Sequence, residues 1–242
     1  VKQCIGKYYS LTACDDIILP KKIENQINIF EKLDNKYAAI YSDAYIIDDN
    51  GNYSYGTHIA KKQINHPPSV NIYEELIKHD NFIPANSLLF KASSIKEIGF
   101  FDESLSYEDY DMLLRLSRKY KIHFSKDIDA CYRKHQSNMT NELNKPIFID
   151  TKIKILFKNL TLNNNTSKLN TLIKERIMEQ CELLYLYKSD YAKTHLKNLK
   201  NKFNYGKLAY YSLAFGFSFK FYLLLIVFFK KDYSDNFRRI SF

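Results

Sequence analysis

Apolar and polar positions follow two rhythms in the first 145 residues. Residues 7–13 form a short apolar and aromatic run of strand type, and Pro20 sits as the first residue of a helix. In "KKIENQINIFEKL" the spacing of Ile23, Ile27, Phe30 and Leu33 predicts one apolar helical face over 21–33. "YAAIYSDAYIID" follows as a strand and "DDNGN" as a turn, with "YSYGTHI" as its antiparallel partner. "VNIYEELIKH" reads as a helix and "NSLLF" as a short strand. "SSIKEIGFFDE" carries a helix with a capping box from Ser94 to Glu97 and a stop at Gly99. A helix over 106–121 is expected with Ser106 as its N-cap, and "KIHFSKDIDACYRKH" closes the series as a strand ending near His135. Strands alternating with helices predict an α/β sheet, so the fold class is α/β.

From about residue 146 the pattern turns helical and rich in Lys and Asn, with "NLTLNNNTSKLN" as a polar loop. This divides the chain into an α/β domain over 1–145 and a basic helical tail over 146–242. The stretch 208–229 is apolar apart from Ser212, Ser218 and Lys220, and Lys230-Lys231 follow it. A spanning helix needs about 20 mostly apolar residues, and a lysine near the middle weakens that reading. An interfacial helix with snorkelling Lys and Tyr is preferred; a soluble core helix and a true span stay open.

Charge sharpens this division. The net charge of +9 is the sum of −2 over residues 1–150 and +11 over 151–242. Such asymmetry calls for an anionic partner at the tail. The adjoining apolar stretch favours an anionic membrane surface over nucleic acid, despite the interleaved Lys, Arg and Tyr of 185–211. The four cysteines (Cys4, Cys14, Cys131, Cys181) have no CxxC spacing, which argues against a zinc site and for a reducing compartment. A calcium loop at 48–52 is excluded because Gly51 comes two positions too early.

Three polar clusters stand at the ends of these elements: Asp15-Asp16, Glu108-Asp109 with Asp111, and Arg133 with His135. Each alone has a plain explanation. Asp15-Asp16 suits a solvated turn, Glu108 and Asp109 suit the positive end of a helix, and His135 suits a surface hydrogen bond. Two adjacent carboxylates at a strand end nonetheless call for a positive partner.

The order of the clusters resembles a family 2 glycosyltransferase. "GKYYSLTACDDIILPKKIENQ" is similar to the family segment in which a strand delivers a DxD motif, followed by Leu-Pro and a helix. "NSLLFKASSIKEIGFFDESLSYEDYDMLLRLSRKYKIHF" is similar to the acceptor-side segment, and "YRKHQSNMT" to the end of the catalytic domain. The resemblance covers about residues 5–140. It implies a partial GT-A, Rossmann-like mixed sheet flanked by helices and followed by an α-helical region. It further implies an inverting transfer from a nucleotide-sugar, expected to be a UDP-sugar, to a glycan or lipid-linked acceptor.

By the same resemblance Asp109 is the base and Glu108 its neighbour. Asp15 and Asp16 are the cofactor-binding pair, Asp15 with His135 holding Mg²⁺ or Mn²⁺ and Asp16 alternatively fixing the turn. Tyr107, Asn86 of the "NFIPAN" loop and Arg133 border the acceptor, and Asp111 orients Arg115 one turn on. The sequence departs from the family pattern at Ala13, where the first Asp of DxD would stand. The family's nucleotide-binding strand–helix–strand half would lie before Val1. The implied setting is bacterial surface polysaccharide synthesis, with the chain peripheral on the cytoplasmic face of the plasma membrane. The alternative is an inactive truncated remnant that only docks on a membrane or partner.

Overall fold

The computed structural model describes residues 5–142, 145–162 and 165–204. Two compact units divide between Leu143 and Asn144. The first is built on a mixed sheet of β1 (Tyr8–Ser10), β2 (Ile17–Ile18), β3 (Tyr37–Ile47), β4 (Tyr53–Thr57), β5 (Leu89–Lys91) and β6 (Lys121–Arg133). Strand order is β1-β5-β3-β6-β2, with β4 also pairing β3. The central β3 runs parallel to β6, from Tyr37 opposite Lys121 to Ile47 opposite Arg133, and antiparallel to β4 and β5. Both long strands are needed at the centre, and their burial fits that place: Ala38 to Tyr41 of β3 and Ile122 of β6 are fully buried.

Helices α1 (Lys22–Phe30), α2 (His58–Lys61), α3 (Tyr73–His79), α4 (Ala92–Ile98) and α5 (Glu108–Lys119) flank this sheet. The mixed α/β class expected from the alternating pattern is the observed one. The second unit consists, among the described residues, of α6 (Pro146–Leu160), α7 (Ser167–Leu186) and α8 (Asp190–Phe203). Thr166 caps α7, its hydroxyl oxygen accepting from Leu169 N at 3.2 Å. The loop predicted over 159–170 is therefore shorter than its polar composition implied.

Several local expectations are corrected. Pro20 precedes α1 by two residues. Phe30, Ile27 and Leu33 of the expected face pack against Ile40 and Leu89, whereas Ile23 is 40% exposed and Lys22 and Gln26 are buried beside that face. These two polar side chains answer hydrogen-bond acceptors beneath the helix. Lys22 Nζ donates to Ser10 Oγ at 2.6 Å and to Leu88 O at 3.2 Å, and Gln26 Nε2 donates to Ser87 O at 2.8 Å. Burial lowers the Lys22 ammonium to about 8.

The capping box does not form, because α4 begins at Ala92 and places Ser94 inside the helix, buried. Glu97 instead meets Lys119 and Tyr120. Gly99, at φ +86°, ends α4 as expected. Ser106 lies two residues before α5, whose N-cap position is Tyr107. The three described cysteines are free, and no described helix is long and apolar enough to cross a membrane. Cys4, the 208–229 stretch and Lys230-Lys231 lie outside the described residues.

Candidate active site

The carboxyl-terminal ends of β3 and β6 assemble the first half of the site. β2 pairs antiparallel with β6, Ile17 opposite Cys131, which lays Asp16 beside the end of β6. Asp16 Oδ1 accepts from Arg133 N at 2.9 Å, and burial pushes its carboxyl up from the ordinary range. The Arg133 guanidinium gathers backbone carbonyls: Nε donates to Asp15 O at 2.8 Å, and one terminal nitrogen donates to Asp48 O at 2.8 Å and Asp49 O at 3.1 Å. One side chain thus ties the Asp15-Asp16 turn to the β3–β4 turn. The planar five-donor fork explains why arginine rather than lysine is suited to that task.

Two residues beyond β6, His135 reaches back to the same turn. Its Nε2 lies 2.7 Å from Asp15 Oδ2, and Ser137 Oγ lies 2.9 Å from its Nδ1. The bond to His135 is the chief cause that holds the Asp15 carboxyl below its usual range. Asn138, buried, fixes the return: its amide donates to Arg133 O at 3.1 Å, and its Oδ1 accepts from His135 N. The positive partner that the paired carboxylates called for is present within the chain as Arg133, whose charge favours the ionised form of both Asp15 and Asp16.

The second half forms at the start of α5. Asp109 is partly buried; its Oδ1 accepts from Tyr110 N at 2.7 Å and its Oδ2 from Asn81 Nδ2 at 2.9 Å. Burial, reinforced by the Glu108 charge, raises the Asp109 carboxyl to about 6. Glu108 itself is exposed. Tyr107 lies against Tyr110 with the rings tilted by 32° and their centroids 5.2 Å apart, and burial with the neighbouring Asp109 drives its phenol well above the usual value. Asp111 accepts from Arg115 Nε at 2.8 Å, as expected, and Arg115 also donates to the carbonyls of Ile98, Gly99 and Phe100. That clasp closes the end of α4 against α5 and fixes the connection leading to Asp109.

Asn86 and Arg133 were expected at an acceptor, and the structure gives both an architectural task. Asn86 is 1% exposed and donates to Cys131 O at 3.0 Å. The residue that does touch the site from the "NFIPAN" loop is Asn81, at its other end, and no pattern in the sequence distinguished the two. Asn138 was likewise missed, although its position three residues after His135 suits a local side-chain-to-backbone bond. The loop 81–86 also joins the halves: Asn81 meets Asp109, and Asn86 meets Cys131, the partner of Ile17. Five peptide units span at most about 18 Å, so both clusters are anchored to the two ends of one short connection.

Asp15 and His135 are the residues suited to hold a divalent cation. Among the described residues no three His, Cys, Asp or Glu side chains converge to form a metal site unaided. A carboxylate and an imidazole with substrate phosphates and water completing the shell is a chemically adequate donor set for Mg²⁺ or Mn²⁺.

Comparison with known proteins bears on the family of this chain. The family model Glycosyltransferase like family 2 matches residues 1–150. An uncharacterized glycosyltransferase of Rickettsia typhi is 32% identical over 142 residues, 58% of this chain and 44% of that protein. One of Rickettsia bellii is 34% identical over 144 residues, 59% of this chain and 20% of its own length. A third, of Methanocaldococcus jannaschii, is 26% identical over 53% of this chain and 42% of that protein. The aligned region thus spans less than half the length of these relatives. A mannosyltransferase of Pyrobaculum calidifontis, solved in complex with GDP-Man and Mn²⁺, superposes at a TM-score of 0.47 and 10% identity over 93% of this chain and 57% of that one. On the match over residues 1–150, which holds every site residue described above, the chain belongs to the glycosyltransferase-like family 2.

Proposed function

We propose that the α/β unit carries the catalytic residues of an inverting glycosyltransferase, with Asp109 as the base. The observation that carries the proposal is the state of Asp109: a carboxyl raised to about 6 by burial, oriented by two N–H donors and seated in the first turn of α5. A base with a value near working pH combines availability with proton affinity. As an acceptor hydroxyl attacks the anomeric carbon, Asp109 takes its proton, the bond from that carbon to the diphosphate oxygen breaks, and the nucleoside diphosphate leaves. One displacement inverts the anomeric configuration. Asn81 keeps the carboxylate aimed, and Tyr107 borders the acceptor. Glu108 raises the affinity of Asp109 for the proton through its charge.

On the donor side, Asp15 and His135 hold Mg²⁺ or Mn²⁺, and Asp16 and Arg133 keep the turn that presents Asp15 in place. The cation supplies charge neutralisation for the departing diphosphate. The donor is a nucleotide-sugar, UDP-linked in our reading, and the acceptor a hydroxyl of a glycan or lipid-linked intermediate in bacterial surface polysaccharide synthesis. The basic C-terminal region is assigned to an anionic membrane surface, which sets the protein peripherally on the cytoplasmic face. Supporting these finer assignments are the family membership and the charge asymmetry of the chain. The test is the product's anomeric configuration, read by proton NMR after incubation with nucleotide-sugars of defined anomer and Mn²⁺. Inversion is expected, and a product that retains the donor's configuration overturns the single-displacement mechanism.

A further inference from the structure

Four large apolar or aromatic side chains are left exposed at one end of the helical unit. α6 and α8 run side by side in the same direction, since Asp150 meets His195 and, two turns further on, Phe157 stacks on Phe203. The start of α6 therefore lies at the end of the unit where α7 turns into α8. Exposed there are Ile147 (48%), Leu186 (51%), Tyr187 (52%) and Tyr191 (42%). A single exposed apolar residue is ordinary, but four from three helices at one end mark an interaction surface. The turn between α7 and α8 satisfies its own backbone. Lys188 N–H donates to Tyr185 O and Ser189 N–H to Leu184 O, each at 2.9 Å, and Lys188 stands at φ +54°. This closure of a helix ordinarily puts glycine at the left-handed position. Here a lysine takes it, so strain that glycine would relieve is accepted together with a cation at the tip of the patch.

Charge decides which partner suits the patch. Asp190 is exposed in the turn, but so are Lys188 and Lys193, and over 145–204 twelve Lys and Arg outnumber five Asp and Glu. A second copy of the chain would bring the same positive excess to the contact, whereas an anionic bilayer complements it. Tyrosine suits the headgroup level, with its ring among the acyl chains and its hydroxyl in water, and lysine reaches the lipid phosphates from an apolar base. A turn whose backbone bonds are made internally loses little on leaving water. We propose that the α7–α8 turn, with the first turn of α6, is the element that enters the headgroup region of an anionic membrane, Leu186 and Tyr187 leading and Lys188 at the phosphates. The proposal rests on the assignment of the basic region to a membrane and names the residues that make the contact.

The chain has no Trp, so Tyr187→Trp gives the full chain a single reporter in the patch. Tyr55→Trp, at a 99% exposed position of β4, gives one in the α/β unit. Each variant is mixed with vesicles of phosphatidylglycerol and phosphatidylcholine after circular dichroism has checked its fold. Sedimentation reads binding of the chain, and Trp emission with quenching by brominated lipid reads contact at the reporter. Co-sedimentation is expected for both, with a shift to shorter wavelength and quenching for Tyr187→Trp and neither for Tyr55→Trp. Lys188→Asn keeps a residue that tolerates the left-handed backbone and removes the charge, so vesicle binding should weaken about fivefold, the worth of one lysine near an anionic surface. Co-sedimentation without shift or quenching at Tyr187→Trp overturns the proposal and leaves the membrane assignment standing; no co-sedimentation at all removes both. Short-wavelength emission from Tyr187→Trp before vesicles are added shows the patch covered by protein and overturns the proposal too, and unchanged binding in Lys188→Asn overturns the part given to that lysine.

Discussion

Replacing Asp109 with Asn should make the protein more stable above pH 7 and leave it little changed at pH 5. The reasoning starts from the raised carboxyl. Asp109 titrates near 6 in the fold, against the ordinary 3.8 for an exposed aspartate. Between these values the folded state binds more protons than the unfolded state, so stability falls as pH rises through the window. A shift of about two units corresponds to roughly 3 kcal/mol of destabilisation, fully expressed above the folded value. Asn removes the charge and hence the pH dependence. It also loses part of the present bonding, because both partners, Tyr110 N and Asn81 Nδ2, are donors, and an amide offers only one acceptor oxygen. That loss costs about 1–2 kcal/mol at every pH. The net expectation is a gain of about 1–2 kcal/mol at pH 8 that becomes a small loss at pH 5. Urea unfolding of both proteins at the two pH values measures it. A difference between variant and wild type that is the same at both pH values would refute the assignment of a strained, functionally retained carboxylate.

Further outcomes follow from the same contacts. Asn81→Ala removes a donor that favours the charged form of Asp109, so the Asp109 midpoint in a carbon-detected NMR titration should move above 6; a midpoint moved down contradicts the role given to Asn81. Arg133→Lys exchanges a three-carbonyl clasp for a point charge, and a loss of about 1–3 kcal/mol in urea unfolding is expected, with little or no loss counting against the clasp. Buried Lys22, lowered to about 8 from 10.5, binds fewer protons in the fold than in the unfolded chain across that interval, so its contribution to stability rises with pH. Lys22→Met should flatten the rise between pH 7.5 and 9.5 by roughly 2 kcal/mol relative to wild type. For the proposed activity, Asp15→Ala should raise the Mn²⁺ concentration needed for half-maximal transfer, and an unchanged requirement removes Asp15 from the cation's shell.

Local periodicity carried the sequence reading as far as local forces decide structure. The long strands β3 and β6, the hairpin between β3 and β4 and the helix that begins at Glu108 were legible, because their apolar spacing and turn residues agree with the final fold. The burial of Lys22 and Gln26 in α1 was not, since they answer carbonyls supplied by residues 87 and 88, more than sixty positions away. The juxtaposition of Asp15 with His135 spans 120 residues and was reached by resemblance rather than by pattern. Within the "NFIPAN" loop, two asparagines of equal chemistry received opposite fates. Asn86 was drawn under the sheet to satisfy a backbone carbonyl, while Asn81 was left to orient Asp109. Only tertiary packing separates those roles.

The central claim is that Asp109 removes the acceptor proton. Its most direct test is the rate of nucleoside diphosphate release from nucleotide-sugars, with hydroxyl acceptors and Mn²⁺, for wild type and Asp109→Asn between pH 5 and 8. The account predicts a wild-type rate that climbs with pH about a midpoint near 6 and a variant slower by about 10²–10⁴, while nucleotide binding is retained. A variant that turns over at close to the wild-type rate, or a wild-type profile that is flat through pH 6, contradicts it.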